Sequence, residues 1–170
     1  MEDRLLQGNL SFAPIAPEHD AAMAWIVRRS LKAYGLDIPG TAYFDASLDH
    51  LSAYYDRPGR CYYVLLQAGM VVGGIGVAEF DRLRGGCELQ KLYLDEPARG
   101  RGLGYEMIRF IEARARELGY EWIYLETHTS LAAAIHEYER SGYRQIERPA
   151  SVVHTTMDRF YLKQLSKAGA

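Results

Sequence analysis

Cysteine is almost missing from this chain: Cys61 and Cys87 are the only two among 170 residues. Two thiols make no disulfide framework, so the fold must rest on a packed core, and a reduced setting is expected. No apolar run is long enough to cross a bilayer. The opening MEDRLLQGNLSF has no uninterrupted apolar stretch of the signal-peptide kind, so a soluble, cytoplasmic protein without a membrane partner is expected. Charge of one sign is not in excess either. Lys and Arg number 20 against 22 Asp and Glu, a net charge of −2. That gives no global attraction to nucleic acid, and electrostatic recognition must be local. His19, His50, His136 and His154 share no ligand spacing with either cysteine, so no metal is expected. Low-complexity tracts, internal repeats and long linkers are also absent, and residues 1–170 read as a single domain.

Apolar periodicity then marks the elements. LSFAPIAP suits a short first strand. Pro17 suits the first position of a helix, with Glu18 and Asp20 in its first turn. Met23, Ile26, Val27, Ser30 and Tyr34 fall on one helical stripe, and Gly35 ends it. Asp45 or Ser47 is expected to cap a second helix in which Leu48, Leu51 and Tyr55 share a face. CYYVLLQ, MVVGGIGVAEF and CELQKLYL read as consecutive strands. Gly73, Gly74 and Gly76 predict a bulge or a close backbone approach in the middle one. A helix follows with Ile108, Ile111, Ala115 and Leu118 on its buried face and Gly119 at its stop. After it come the strand EWIYLET, a helix carrying Leu131, Ala134, Ile135 and Tyr138 on one stripe, and two final strands within YRQIER and TTMDRFYLKQL. The order βααβββαβαββ predicts an α/β (α+β) fold. Its sheet should be mixed and mostly antiparallel, with a parallel pair in the middle and about four helices around it.

The stretch LYLDEPARGRGLGYEM carries the chemistry. Gly100, Gly102 and Gly104 stand between a strand and a helix, among Arg99 and Arg101. Such glycines suit a tight connection with positive φ. They also suit an anion cradle, because the first amides of a helix lack intrahelical partners and the helix dipole is positive there. Known nucleotide motifs do not fit. No GxxxxGK[ST] string exists, and from Gly100 the sixth position of a GxGxxG reading is Tyr105. GGIGVA at Gly73 to Ala78 runs into EFDRLRGG rather than a helix.

Arg99-Gly100-Arg101-Gly102-Leu103-Gly104 instead follows R-x-x-G-x-G after a strand ending in LYL. It resembles the acetyl-coenzyme A pyrophosphate loop of the GCN5-related N-acetyltransferase (GNAT) family. AAAIHEYERSGY is similar to that family's later motif, with Tyr138 four residues before Gly142 and Tyr143. The order of elements matches from about Leu10 to Leu165. Two positions depart from the pattern: Leu131 stands where the family often has asparagine, and Glu137 where it is often aliphatic.

The resemblance implies an acetyl-coenzyme A-dependent N-acetyltransferase. The coenzyme is a co-substrate whose pyrophosphate would rest on Arg99, Gly100, Arg101, Gly102, Leu103, Gly104 and Tyr105. Its thioester arm would lie along the main chain of Leu92, Tyr93 and Leu94. Tyr138 is the implied general acid for the leaving thiolate. A base must take a proton from the acceptor amine, because an alkylammonium does not attack. Glu88 is the first candidate, with Glu79 and Glu126 behind it. His128, after EWIYLET, is open between a site role and a surface turn.

Between Ala33 and Asp56 no Lys or Arg occurs, while Asp37, Asp45, Asp49 and Asp56 lie among Tyr34, Tyr43, Phe44, Tyr54 and Tyr55. Two readings stand: a cleft for a cationic acceptor, or aromatics that pack and aspartates that cap. The first favours a small-molecule amine or a lysine-like amino group as partner. A non-catalytic acyl-coenzyme A-binding or regulatory module on the same fold is the alternative. TTMDRFYLKQL is a candidate for strand pairing across a homodimer.

Overall fold

The computed structural model of the protein describes residues 9–152 and 155–166. Its strands are β1 (Leu10–Pro14), β2 (Cys61–Gln67), β3 (Met70–Glu79), β4 (Gly86–Leu94), β5 (Trp122–Thr127), β6 (Arg144–Ile146) and β7 (Arg159–Gln164). Its α-helices are α1 (Asp20–Ala33), α2 (Leu51–Tyr55), α3 (Leu103–Glu117) and α4 (Ala132–Arg140). All seven strands join one sheet in the order β1-β2-β3-β4-β5-β7-β6. Only β4 and β5 run parallel among the described pairs. The mixed sheet with four helices expected from the sequence is the one found.

Apolar side chains on the two faces of the sheet make two cores. On one face, Met107, Ile108 and Ile111 of α3 and Tyr138 of α4 pack on Ile75, Val77, Leu89 and Leu125. On the other, Met23, Ile26 and Val27 of α1 and Leu51 of α2 pack on Val64 and Ala78. Each fully buried aliphatic side chain contributes about 1.5–3 kcal/mol, so these stripes hold the helices where their isolated propensities would not. A smaller cluster of Tyr124, Val152 and Phe160 lies at the β5–β7 end.

The glycines of β3 behave as the sequence predicts. The register shifts between Gly74 and Gly76. A Cβ on Gly76 would lie 2.4 Å from the Tyr62 ring, and one on Gly74 2.5 Å from it. The glycines therefore make room for a tyrosine lying flat on the sheet, and no larger residue fits. Across from them, β4 carries one extra residue: Gly74 pairs Tyr93 and Gly76 pairs Gln90, leaving Lys91 and Leu92 opposite Ile75 alone. Lys91 takes φ 50° in this bulge, and the Tyr62 hydroxyl donates to its carbonyl at 2.7 Å.

Three expectations need correction, those for Tyr34, for Leu118 and for the cap of the second helix. Tyr34 and Leu118 are exposed, because each sits at a helix C-cap where the chain has turned off the buried stripe. The second helix is short and follows two 3-10 turns, Ala42–Phe44 and Leu48–His50. Neither Asp45 nor Ser47 caps it. Asp20 of α1 does so from a distance, accepting from the Ser52 amide (2.8 Å) and hydroxyl (2.6 Å). Phe160 to Leu162 of β7 have partners on both sides, in β5 and β6. The candidate dimer strand thus spends its middle inside the sheet. Residues 1–8, on which the signal-peptide expectation partly falls, and His154 lie outside the described residues.

Candidate active site

The site starts where the parallel pair comes apart. β4 and β5 pair over three residues, Gly86–Trp122, Cys87–Ile123 and Glu88–Tyr124. Both strands continue beyond, to Leu94 and Thr127, with no further pairing to each other. Leu89 to Leu94 thus offer main-chain groups on one side to an opening in the middle of the sheet. An unpaired buried peptide group is costly, so such an opening is suited to an extended ligand that can supply the missing bonds.

At the end of this opening lies the glycine turn. Gly100 has φ 71° and Gly102 φ 72°. Gly102 is the N-cap of α3, without a side-chain cap. Positive φ requires glycine at both, and no atom lies within 4 Å of where a Cβ would project from either. Conformation and open space therefore coincide at both positions. Gly104 differs: it is helical, and a Cβ there would lie 3.4 Å from Glu137 Cγ, so it lets α3 approach α4.

A cleft of about 330 Å³ joins these parts, lined by Leu92 to Leu94, Arg99, Gly100, Gly102 to Gly104, and Ala134 and Glu137 of α4. Ser30 of α1, Tyr34 at its C-cap and Leu131 also line it. Arg99 is a brace for the turn. Its Nε donates to the Leu94 carbonyl and its Nη2 to Ser30 Oγ, each at 2.9 Å. Arg101 and Tyr105 do not line the cleft. The Arg101 guanidinium donates to Gln67 Oε1 (3.2 Å), and the Tyr105 ring lies under Arg140 (4.4 Å) and Arg109 (5.8 Å).

Tyr138 is buried in the α3–α4 core, its ring 5.9 Å from Tyr143 and 6.3 Å from Tyr161. Its hydroxyl makes no hydrogen bond with the described residues. Burial pushes its pKa up, so the phenol keeps its proton throughout the neutral range. Glu88 stands at the last paired position before the strands part. Burial raises its carboxyl to about 7, offset by a hydrogen bond from Gln90 and reinforced by Glu126. The other carboxylates fare differently. Arg60 binds Glu79 and holds it down at about 2. Glu126 accepts from the Tyr124 hydroxyl at 3.1 Å. His128 closes the turn into α4, its Nδ1 accepting from the Ser130 amide (3.2 Å).

The acidic, aromatic segment before β2 is partly neutralised. Asp45 pairs with Lys91 at 2.8 Å and Asp49 with Arg28 at 2.7 Å. Tyr54 lies between Arg60 and Lys91, 4.4 and 5.9 Å from its ring centre. Thr156 donates to the Pro39 carbonyl (2.7 Å), joining this segment to the β6–β7 connection. A larger groove of about 550 Å³ between β1 and α2 is lined by Tyr55 and Asp56 of the acidic, aromatic segment and by none of the predicted coenzyme-binding or catalytic residues. Among the described residues, no group of three His, Cys, Asp or Glu side chains could hold a metal ion, and no helix is long and apolar enough to cross a membrane.

Sequence reasoning missed Lys91 and Gln90, and named Tyr55 without its link to Glu88. One signal was available for the bulge. Cys87, Leu89, Leu92 and Leu94 all pack on the same core, and a step of three between Leu89 and Leu92 is impossible in a regular strand of period two.

The profile of the acetyltransferase (GNAT) family matches residues 24–143. The chain belongs to that family. Acetyl transfer is the reaction class that this GNAT membership carries. The chain is 36% identical over 132 residues to the uncharacterized N-acetyltransferase YjgM of Escherichia coli (strain K12), covering 76% of this chain and 79% of that protein. A GNAT-family acetyltransferase from Staphylococcus aureus has the same fold, with TM-score 0.82 over 92% of this chain and 99% of that one at 20% identity. The PaiA N-acetyltransferase from Thermoplasma acidophilum, solved in complex with coenzyme A, superposes with TM-score 0.72 over 91% of this chain and 98% of that one at 15% identity.

Proposed function

We propose that the protein transfers an acetyl group from acetyl-coenzyme A to a primary amine, a small molecule or a lysine-like amino group. The observation that carries this is the parting of β4 from β5 beside the Gly100–Gly102 turn. It offers extended main chain and a helix N-terminus to one ligand, and coenzyme A has a pantetheine arm and a pyrophosphate to match. Leu92, Tyr93 and Leu94 would hold the arm by their main chain. Gly100 to Tyr105 would hold the pyrophosphate with their amides, Arg99 bracing the turn. Arg101 and Tyr105 contribute main chain rather than side chains.

The co-substrate supplies an acetyl thioester. Glu88 takes one proton from the ammonium, and the neutral amine's nitrogen bonds to the acetyl carbon. As the carbon–sulfur bond breaks, that nitrogen gives its surplus proton to solvent, from which Tyr138 is reprotonated after it has protonated the sulfur. A carboxyl at about 7 is suited to this, half ionised at neutral pH and basic enough to accept. Tyr138 donates to the departing sulfur. Its raised pKa keeps that proton available, while a coenzyme thiol near ~8.5 needs only partial assistance.

Calorimetric titration of acetyl-coenzyme A tests the donor site, with Gly102→Glu as the probe. Gly119→Ala is the control, because Gly119 also has φ 88° and open space but lies at the far end of α3. Binding lost in the first and kept in the second supports the site. Equal binding in all three proteins refutes it. Thiol release in an amine screen, absent in Tyr138→Phe, then separates an enzyme from a binding module.

A further inference from the structure

Glu88 is not held by its own strand alone. Gln90 Nε2 donates to Glu88 Oε2 at 3.2 Å, and the Tyr55 hydroxyl donates to Gln90 Oε1 at 2.7 Å. Tyr55 ends α2, 35 residues from Gln90 in the chain. Glu88 Oε1 has no partner among the described residues and is left to the substrate.

The direction of this chain follows from donor and acceptor counts. An ionised carboxylate only accepts, so Gln90 must turn its NH2 to Glu88 and its carbonyl to Tyr55. The Tyr55 hydroxyl must then donate, and Gln90 is its only acceptor among the described residues. If Glu88 takes a proton on Oε2 and donates to Gln90, the amide must turn over. Its NH2 then faces Tyr55, whose buried O–H loses its acceptor. A buried unsatisfied donor is costly, so the tyrosine opposes a proton on Oε2. A proton on the free Oε1 leaves the amide unturned but weakens the bond Oε2 accepts from Gln90, because a neutral carboxyl is a poorer acceptor than a carboxylate.

We propose that Tyr55 and Gln90 are positioning residues that keep Glu88 ionised and aim its free oxygen at the acceptor amine. This rests on Glu88 as the base and extends that reading to its support. Burial is the largest influence raising the Glu88 carboxyl, and Gln90 is the largest opposing one. The charged groups that face Glu88 are Glu126 from β5, Asp45 from the segment before α2, and Lys91 from β4 itself. Asp45 and Lys91 bind each other, so their effects on Glu88 largely cancel.

The test needs no acceptor. The Glu88 carboxyl carbon is followed by NMR through a pH titration in the wild type, Tyr55→Phe, Gln90→Leu and the double variant. Gln90→Leu is expected to raise the midpoint by about one unit, the value of one hydrogen bond to a charged group, and Tyr55→Phe, which acts only through the amide, by about half a unit. The double variant is expected to shift no further than Gln90→Leu, because the tyrosine acts only through the amide. Glu126→Gln should move the midpoint the opposite way. A Tyr55→Phe midpoint within about 0.3 units of wild type would overturn the proposal. So would additive shifts in the double variant. Tyr55→Phe changes one buried atom and is the arm least exposed to misfolding. The base reading fails separately: Glu88→Gln retaining full thiol release in the presence of an accepted amine would remove Glu88 as base while leaving the titration result intact. Kinetics add a second discriminator. A positioning role lowers the rate of Tyr55→Phe at pH 6 and spares it at pH 9, whereas a packing defect lowers both alike.

Discussion

The two sides of the β4–β5 opening are built by different means. On the side proposed to take the donor, main-chain features predominate: an unpaired strand edge, two positive-φ glycines and a helix N-terminus. Side chains there act as braces, as Arg99 does between Leu94 and Ser30. On the side proposed to take the acceptor, side chains from distant segments hold one another: Tyr55 to Gln90 to Glu88, and Lys91 to Asp45. A main-chain site recognises what every co-substrate molecule shares. A side-chain site can be changed one residue at a time, so the acceptor side is where specificity can vary on a fixed donor frame.

Substitutions should therefore separate by side. The largest effect belongs to Glu88. Glu88→Gln is expected to cost roughly 10²–10⁴-fold in kcat, the usual range for a general base, with acetyl-coenzyme A affinity unchanged. Steady-state kinetics beside calorimetry decide it, and loss of donor affinity in this variant would break the division.

Stability offers the next test. Glu88 has a folded pKa of about 7 against an ordinary 4.5. A raised carboxyl favours the protonated folded state. Its contribution is fully present below pH 4.5 and lost as pH rises through 7, in total about 3 kcal/mol as an order of magnitude. Denaturant melts at pH 4.5 and 7.5 should show this fall in the wild type and not in Glu88→Gln. Glu79 works in the opposite sense and elsewhere: its pKa of about 2 makes its stabilising effect vanish only as pH falls below 4.5.

On the donor side, Arg99→Met removes two hydrogen bonds that fix the turn. It is expected to weaken acetyl-coenzyme A binding about tenfold and leave the acceptor KM alone. An altered acceptor KM would show that the brace reaches across the opening.

The same contrast explains what could be read from the chain. The strands, α1, α3 and α4 follow from apolar periods, and the donor turn from glycines that its φ angles demand. These are local requirements, and local requirements leave a mark on sequence. The segment between α1 and β2 follows from contacts such as Asp20–Ser52 and Asp45–Lys91, which join positions 32 and 46 residues apart. A window of aspartates with no Lys or Arg reads as an acidic cleft until the cations of α1 and β4 are placed beside it. Glu88 is legible as a carboxylate on β4. Its support by Gln90 and Tyr55 is not, because no period links a helix end to a strand 35 residues later.

Glu137 gives the finest test, because it departs from both patterns. It is a charged side chain on the main-chain side, beside Gly104 in the donor cleft. Its Oε2 is buried with no hydrogen-bond partner among the described residues, and Arg140 Nη1 is 3.7 Å away. A carboxylate there repels the pyrophosphate that the turn is suited to hold. Glu137→Leu removes that repulsion while keeping most of the packing volume. Acetyl-coenzyme A should bind roughly 3–10-fold tighter, with the gain shrinking as salt rises. S-acetyl-pantetheine, which lacks phosphate, should bind both proteins equally. Tighter binding of both ligands would assign the gain to packing instead. Weaker binding of the coenzyme would mean that Glu137 accepts a hydrogen bond from it, and that the donor side too reads its ligand with a side chain.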